Sequence, residues 1–200
     1  ASVAPSTSGN VLTSNGSAWA STAPAGGGGW AFVSVATASS SSSLSFTNMV
    51  ADYDYQYVME AIVVSNDQSN VNITFGVAGP TYRTSGYFGV GANINNGGTS
   101  QSGEATAYIP TTTPQTQELG NSTNEGLKYG YVLINNPVGT TNDTCALGSL
   151  VYHSQTPQLC WMNFGGFYAT AKEAHTSIQF SISAGTMTSG SISQFRRARS

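Results

Sequence analysis

Charge is what this sequence has least of. Only 8% of its 200 residues are Asp, Glu, Lys or Arg, against roughly 25% in an average soluble domain. Basic residues are scarcest: there are six, none precedes Arg83, and Arg196, Arg197 and Arg199 crowd into the last five positions. No basic stripe remains to follow a phosphate backbone, so nucleic acid is excluded as a partner. The terminal arginines read as a solvated tail. The start has no positively charged opening of a secretory signal, and no apolar run approaches membrane-spanning length, so no membrane insertion is expected. Cysteine is nearly absent too. Cys145 and Cys160 leave room for one disulfide, but without a wider framework two buried free thiols are the favoured reading. No segment sustains a helical period; the nearest candidate, residues 170–175, is too short to stand alone.

With so little charge, Ser, Thr, Asn, Gln and Gly must wet the surface. These residues favour strands and turns over helices. Residues 1–29 contain no charged side chain and few large apolar ones, so they cannot form a core. Within them VLTS and SAWAS flank Asn15-Gly16, a dipeptide suited to a tight hairpin turn, and Pro24 with Gly26–Gly29 reads as a hinge. A boundary is placed there, giving an extended arm over 1–29 and a head domain over 30–200.

The head is dominated by period-two alternation, the mark of strands with one buried face. Leu44 and Phe46 alternate with Ser. In DYDYQYVMEAIVV, Tyr53, Tyr55, Tyr57, Met59, Ala61 and Val63 fall on one face, expected to be core. Val71, Ile73, Phe75 and Val77 form another set, and Ile178, Phe180 and Ile182 a third. Weaker strands are expected at 31–37, 86–92, 103–109, 128–134, 146–152, 159–168 and 189–195, with long loops at 79–101, 110–126 and 135–145. Many short strands between turn signals predict an all-β antiparallel sandwich, jelly-roll-like, preceded by the extended arm.

Catalytic constellations are missing. There is no G-x-S-x-G elbow, no C-x-x-C or H-E-x-x-H, no P-loop and no complete dinucleotide fingerprint. No catalytic residue, metal or cofactor is therefore expected, and the chain reads as a non-enzyme. His175 reads as an exposed strand residue and His153 as a strand-to-loop residue with a smaller chance of contacting a ligand. Asp52 and Asp54 would share a face if extended, where a cation could bridge them, although a solvated strand start is favoured. Glu60, mid-strand between Val58 and Ile62, suggests a partner across a sheet or subunit contact.

Binding chemistry is better represented. Aromatic rings can stack on the C–H faces of sugars while amides and hydroxyls bond the sugar hydroxyls, without any need for charge. Tyr82, Tyr87 and Phe88 lie in or beside the Asn/Gly-rich stretch 79–101, as does Tyr108 further on, and Tyr152, His153 and Trp161 flank another loop. For each ring taken singly, core filling is the favoured alternative.

The stretch GNVLTSNGSAW at residues 9–19 resembles a segment found upstream of terminal domains in bacteriophage tail fibres. SLSFTNMVADYDYQYVME, SGEATAYIP and IQFSISAGTMTSGSIS are similar, more loosely, to strands of the C-terminal receptor-binding domains that follow. The ending QFRRARS departs from the apolar-aromatic last strand usual there. The resemblance implies a virion protein, extracellular in the mature particle: a β-sandwich head on a slender stem, usually a homotrimer, whose distal loops touch a host surface receptor. It carries over no catalytic residue and does not separate tail from head appendages. An arm that cannot bury its own apolar surface fits trimerisation, with Val11, Leu12 and Trp19 packed around an axis. The expected partners are other copies of itself, other virion proteins and a host glycan or protein receptor, with polysaccharide favoured. The competing reading is a capsid or tail decoration or adaptor protein that builds the particle.

Overall fold

A computed structural model describes residues 11–14, 17, 19–22, 29–67, 69–95, 98–106, 109–110, 119–122, 125–154 and 158–199, with no side-chain description for 11–13, 19–22, 100–106 and 109–110. The described residues contain strands and no helix. In chain order the strands are β1 (Val11–Ser14), β2 (Trp19–Thr22), β3 (Ala31–Thr37), β4 (Ser43–Phe46), β5 (Tyr53–Val64), β6 (Val71–Val77), β7 (Thr81–Tyr82) and β8 (Tyr87–Asn95). They continue with β9 (Gly98–Thr106), β10 (Ile109–Pro110), β11 (Gly126–Ile134), β12 (Cys145–His153), β13 (Leu159–Tyr168), β14 (Ser177–Ile182) and β15 (Met187–Ala198).

All pairings are antiparallel. Among the described residues β1 and β2 pair only with each other, Val11 opposite Thr22 and Ser14 opposite Trp19. Joining residues 15, 16 and 18, and the side chains of Val11, Leu12 and Trp19 expected at an oligomer axis, lie outside the described part. A large sheet of eight strands runs β3-β15-β5-β11-β12-β13-β8-β9. A smaller sheet runs β10-β6-β14-β4, with β7 also on β6. The chain crosses between the two large sheets repeatedly, as in β5 to β6 and β14 to β15. Among the described residues the split is eight and five strands.

One apolar core joins the inner faces of the two sheets, an arrangement consistent with a β-sandwich. At its centre the Tyr57 ring of β5 lies 5.1 Å from Phe46 and 5.2 Å from Phe180 of the opposite sheet. The Tyr57 hydroxyl accepts a hydrogen bond from Gln194 Nε2 (3.0 Å), and Gln194 Oε1 accepts one from Ser34 Oγ (2.9 Å). That chain of bonds satisfies the polar atoms buried beneath β3, β15 and β5.

The expected alternation of β5 holds only for its first half. Tyr55, Tyr57 and Met59 are buried, but Ala61 is exposed with a φ of +52° and Ile62 and Val64 take the core positions instead. The cause is a double slip in the β5–β15 register, opposite Gly190 with a φ of +105°. A bulge inserts a residue and reverses which side chains point inward. Two further corrections concern 79–101 and the carboxyl end. Most of the expected loop 79–101 belongs to the hairpin β8–β9, which closes one edge of the large sheet. The expected strand 86–92 falls within β8, which runs on to Asn95 with Tyr87, Gly91 and Asn93 inward and Phe88, Val90 and Ile94 outward. The terminal arginines are not a solvated tail: β15 runs to Ala198, paired to both β3 and β5.

Gly190→Ala is expected to destabilise the fold by about 2–4 kcal/mol, since the new Cβ would combine a left-handed φ with backbone collision. That Cβ would lie 2.6 Å from the Ala61 carbonyl oxygen and 2.7 Å from Ile62 Cα. Gly79→Ala, at a φ of +97° with nothing within 4 Å, is expected to cost only the conformational term of about 1–2 kcal/mol. Urea unfolding of the two variants against wild type measures the difference.

Candidate functional site

The large sheet has two faces, and both carry apolar side chains. Its inner face is core. Its outer face presents Phe88, Val90 and Ile94 from β8, Leu147 from β12, Leu159, Trp161 and Phe167 from β13, and Tyr129 from β11, all exposed. Register places them in cross-strand rows. Ser191, Glu60, Tyr129, Val151, Trp161 and Ile94 form one such row. Ala31, Arg196, Tyr55, Ile134, Ala146 and Gly166 form a row on the opposite, inner face, where Tyr55, Ile134 and Ala146 are buried. Five residues of β13 separate Trp161 from Gly166, so the rows lie about 16 Å apart at 3.3 Å per residue. The chain enters β3 at Ala31, so the Trp161 row is on the far side of the sheet from that entry.

Trp161 is 48% exposed and its indole Nε1 donates to Ser149 Oγ at 2.7 Å. That bond fixes the ring on a paired strand and leaves its surface open. Tyr129 stands two strands away in the same row, and Leu159, Asn163 and half-buried His153 surround it. A flat ring with amide, hydroxyl and imidazole neighbours can stack on an apolar sugar face and bond the hydroxyls around its rim. Toward the entry end, Phe88 and Phe167 stack with centroids 5.6 Å apart. Between these groups lies a shallow depression of about 400 Å³ lined by Val90, Ala92, Leu147, Asn163 and Gly165. A polar cleft of about 230 Å³, lined by Asn135, Asn136, Asn142, Asp143 and Arg199, opens at the entry end.

The aromatic residues singled out in the sequence therefore divide. Phe88 and Trp161 are exposed on the outer face and His153 is half-buried at its far margin. Tyr87 and Tyr152 are fully buried and cannot touch a receptor. The Tyr87 hydroxyl accepts from the Phe75 backbone N–H at 2.7 Å, and that of Tyr152 from Asn93 Nδ2 at 2.8 Å. Burial pushes both phenols far above the ordinary tyrosine range. Tyr82 is half-buried against Gly76, on the smaller sheet and away from the outer face. Tyr108 lies outside the described residues. Reasoning from loops missed Tyr129, Leu147, Val90 and Ile94; the signal that could have found them was alternation on a second face.

The charged residues are mostly structural. Asp54 is nearly buried, receives Arg197 at 3.0 Å and the Asn136 backbone N–H at 3.2 Å, and has Arg199 at 3.7 Å. It is neither a solvated strand start nor half of a cation site with Asp52, whose φ of +64° puts it in the preceding turn. Among the described residues no cluster of three metal-ligating side chains occurs. Cys145 and Cys160 are free thiols, but only Cys160 is buried, so the expected pair of buried thiols holds for one. Burial, and Asp143 beside Cys145, raise the thiol pKa values, which disfavours the reactive thiolate.

His175 is the largest departure among the titratable groups. It was expected to be exposed and is fully buried between the rings of Phe75 and Tyr168. Its Nδ1 lies 2.7 Å from Thr144 Oγ1, and its Nε2 lies 3.3 Å from Glu173 without the alignment of a hydrogen bond. Arg83 clasps both oxygens of the Glu173 carboxylate. Burial lowers the His175 pKa despite the opposing pull of Glu173, and the hydrogen bonds from Arg83 lower that of Glu173.

No family model matches the chain, and no curated protein or solved structure matches it.

Both depressed pKa values have one consequence for stability. The unfolded chain binds protons more readily than the native one, so stability is fully present above the unfolded histidine pKa of about 6.5 and falls as pH drops toward the native value. Glu173 extends the loss below the ordinary glutamate range. Thermal unfolding from pH 7 to 5 is expected to show a falling midpoint, with a flatter profile in His175→Gln; parallel profiles would remove His175 as the source.

Proposed function

We propose that this chain is a non-catalytic attachment module of a virion, the tip of a bacteriophage tail fibre, which binds a polysaccharide on the host cell surface. The observation that carries the reading is Trp161: half exposed, pinned through its indole N–H to Ser149, and held on a paired strand toward the end of the sheet away from where the chain enters the head. A rigid ring loses little entropy on stacking, and its amide and hydroxyl neighbours supply orientation without charge. Such a site needs no bond-breaking group. The sequence motifs of residues 9–19 and the low charge of the whole chain support the fibre reading, and within it the arm over 1–29 joins copies into a homotrimer through Val11, Leu12 and Trp19. His153, at the same end of that face, is a secondary contact candidate, whereas Phe88 stands at the other end beside Phe167.

The width of the exposed apolar face also favours a second reading, in which the chain is an adaptor that docks on another virion protein. Soluble protein is expected to compete with virions for adsorption to host cells and to bind purified host polysaccharide. Trp161→Ala is expected to weaken both by about tenfold, the loss of roughly 1.4 kcal/mol that one stacked ring supplies. Failure of the wild-type protein to compete, together with specific capture of a virion protein, would replace the attachment reading with the adaptor.

A further inference from the structure

The polar cleft at the entry end of the large sheet is built on a braced loop. Residues 135–144 join β11 to β12 and are held at several points. The Asn136 N–H donates to Asp54 Oδ1 at 3.2 Å, the His175 N–H to the Pro137 carbonyl at 2.8 Å, and the Tyr168 N–H to the Thr144 carbonyl at 3.1 Å. Buried Thr144 also meets His175 Nδ1 through its hydroxyl at 2.7 Å. The Gly139 N–H closes a turn on the Asn136 carbonyl at 3.0 Å, and the Asn136 amide fills space that a Cβ at position 139 would take. These contacts use backbone groups and Thr144. They leave the side chains of Asn135, Asn142 and Asp143 for the cleft.

Two opposite charges line the same volume of about 230 Å³ without meeting. Asp143 and Arg199 form no ion pair with each other, and among the described residues the Asp143 carboxylate has no ion-pair partner. The Arg199 guanidinium reaches Asp54 only through Nε at 3.7 Å, beyond hydrogen-bond distance. Asp54 is already satisfied by Arg197 and by the Asn136 N–H. An exposed fork of N–H donors is therefore left over at the cleft.

We infer that the cleft binds a zwitterionic group, with an oxyanion on Arg199 and an ammonium on Asp143. A planar guanidinium presents paired N–H donors to carboxylate or phosphate, and a carboxylate accepts from an ammonium. The amides of Asn135, Asn136 and Asn142 donate or accept beside either charge. The charges themselves choose the ligand. A neutral guest would cover both without compensating either, at a desolvation cost. An anion alone would face Asp143, and a cation alone would face Arg199. A metal ion suits the cleft no better, since Asp143 is the one carboxylate among the lining residues. Cys145 lines the cleft opposite Phe167, six residues along β13 from Trp161, or about 20 Å at 3.3 Å per residue. The inference therefore does not rest on glycan contact at Trp161.

Phosphoethanolamine and β-alanine supply the group with a phosphate and with a carboxylate, and inorganic phosphate, propionate and ethylamine supply the halves. Calorimetric titration of the whole chain is expected to show at least one zwitterion binding about tenfold or more tighter than either of its halves. Asp143→Asn is expected to abolish the advantage over the anion, and Arg199→Gln the advantage over the amine, each with an unchanged circular dichroism spectrum. Trp161→Ala is expected to keep both advantages, which separates this test from that of glycan binding. A second measurement needs no variant. Cys145 is exposed and lines the cleft, so iodoacetamide is expected to alkylate it more slowly in the presence of the zwitterion than with the same concentration of phosphate or ethylamine. Should a variant fail to fold, this rate decides, and equal rates overturn the inference. It is overturned as well by zwitterions that bind no tighter than their halves, or by folded variants that both bind as wild type does.

Discussion

The contact of Tyr57 with Phe46 and Phe180 does more than fill space. It binds the two sheets across the core, and it fixes the phase of β5. With Tyr55, Tyr57 and Met59 turned inward, pleating obliges Gln56 and Val58 to face outward. Cross-strand pairing then transmits that phase, because directly opposed residues share a face. Val58 sets Tyr131, Tyr131 sets Ser149, Ser149 sets Asn163, and Asn163 sets Ala92. The outward orientation of Trp161, Leu147 and Val90 is thus a consequence of where one tyrosine ring goes. A slip of one residue anywhere in the ladder would exchange core and surface for every strand beyond it.

The large sheet carries apolar side chains on both of its faces. The inner face of β12 and β13 is occupied by Leu150, Tyr152, Met162 and Phe164, all buried, while the outer face of the same strands holds Leu147, Leu159, Trp161 and Phe167. The two ends of that outer face offer different chemistry. Near the chain entry Phe88, Phe167 and Leu147 adjoin a polar cleft that holds Asn135, Asn136, Asp143 and Arg199. Around Trp161 the neighbours include Ser149, Asn163, His153 and Tyr129. The proposed glycan contact belongs to the second.

With so few charges available, their placement is informative. The Asp54 carboxylate draws in Arg197, Arg199 and the start of the 136–144 loop, so that the last strand ends against the first turn of β5. Arg83 and Glu173 close over His175, linking the segment after β7 to the approach to β14. Exposed ion pairs contribute modestly. Here each joins segments distant in sequence at the margin of the core, and the buried imidazole beneath the second makes that margin sensitive to acid.

Alternation along the sequence determined most of the strands by itself. In β6 and β14 the inward positions are Val71, Ile73, Phe75, Ile178 and Phe180, so burial and hydrophobicity coincide and the period is legible without a structure. The all-β antiparallel character follows from the same cause. In β8 the inward set is Tyr87, Gly91 and Asn93, so the apolar period runs on the outer face, and the strand legible at 86–92 does not reveal which of its sides is core. The identity of the exposed rings was equally illegible: Tyr87 and Phe88 are adjacent, and only the register with β13 decides that the first is core and the second surface. The break in β5 arises from Gly190, more than 120 residues away in sequence. The burial of His175 arises from Phe75, Tyr168, Thr144 and Glu173 meeting around it. Period is a property of one strand, whereas facing is a property of the sheet that strand joins, and that was settled only when the strands came together.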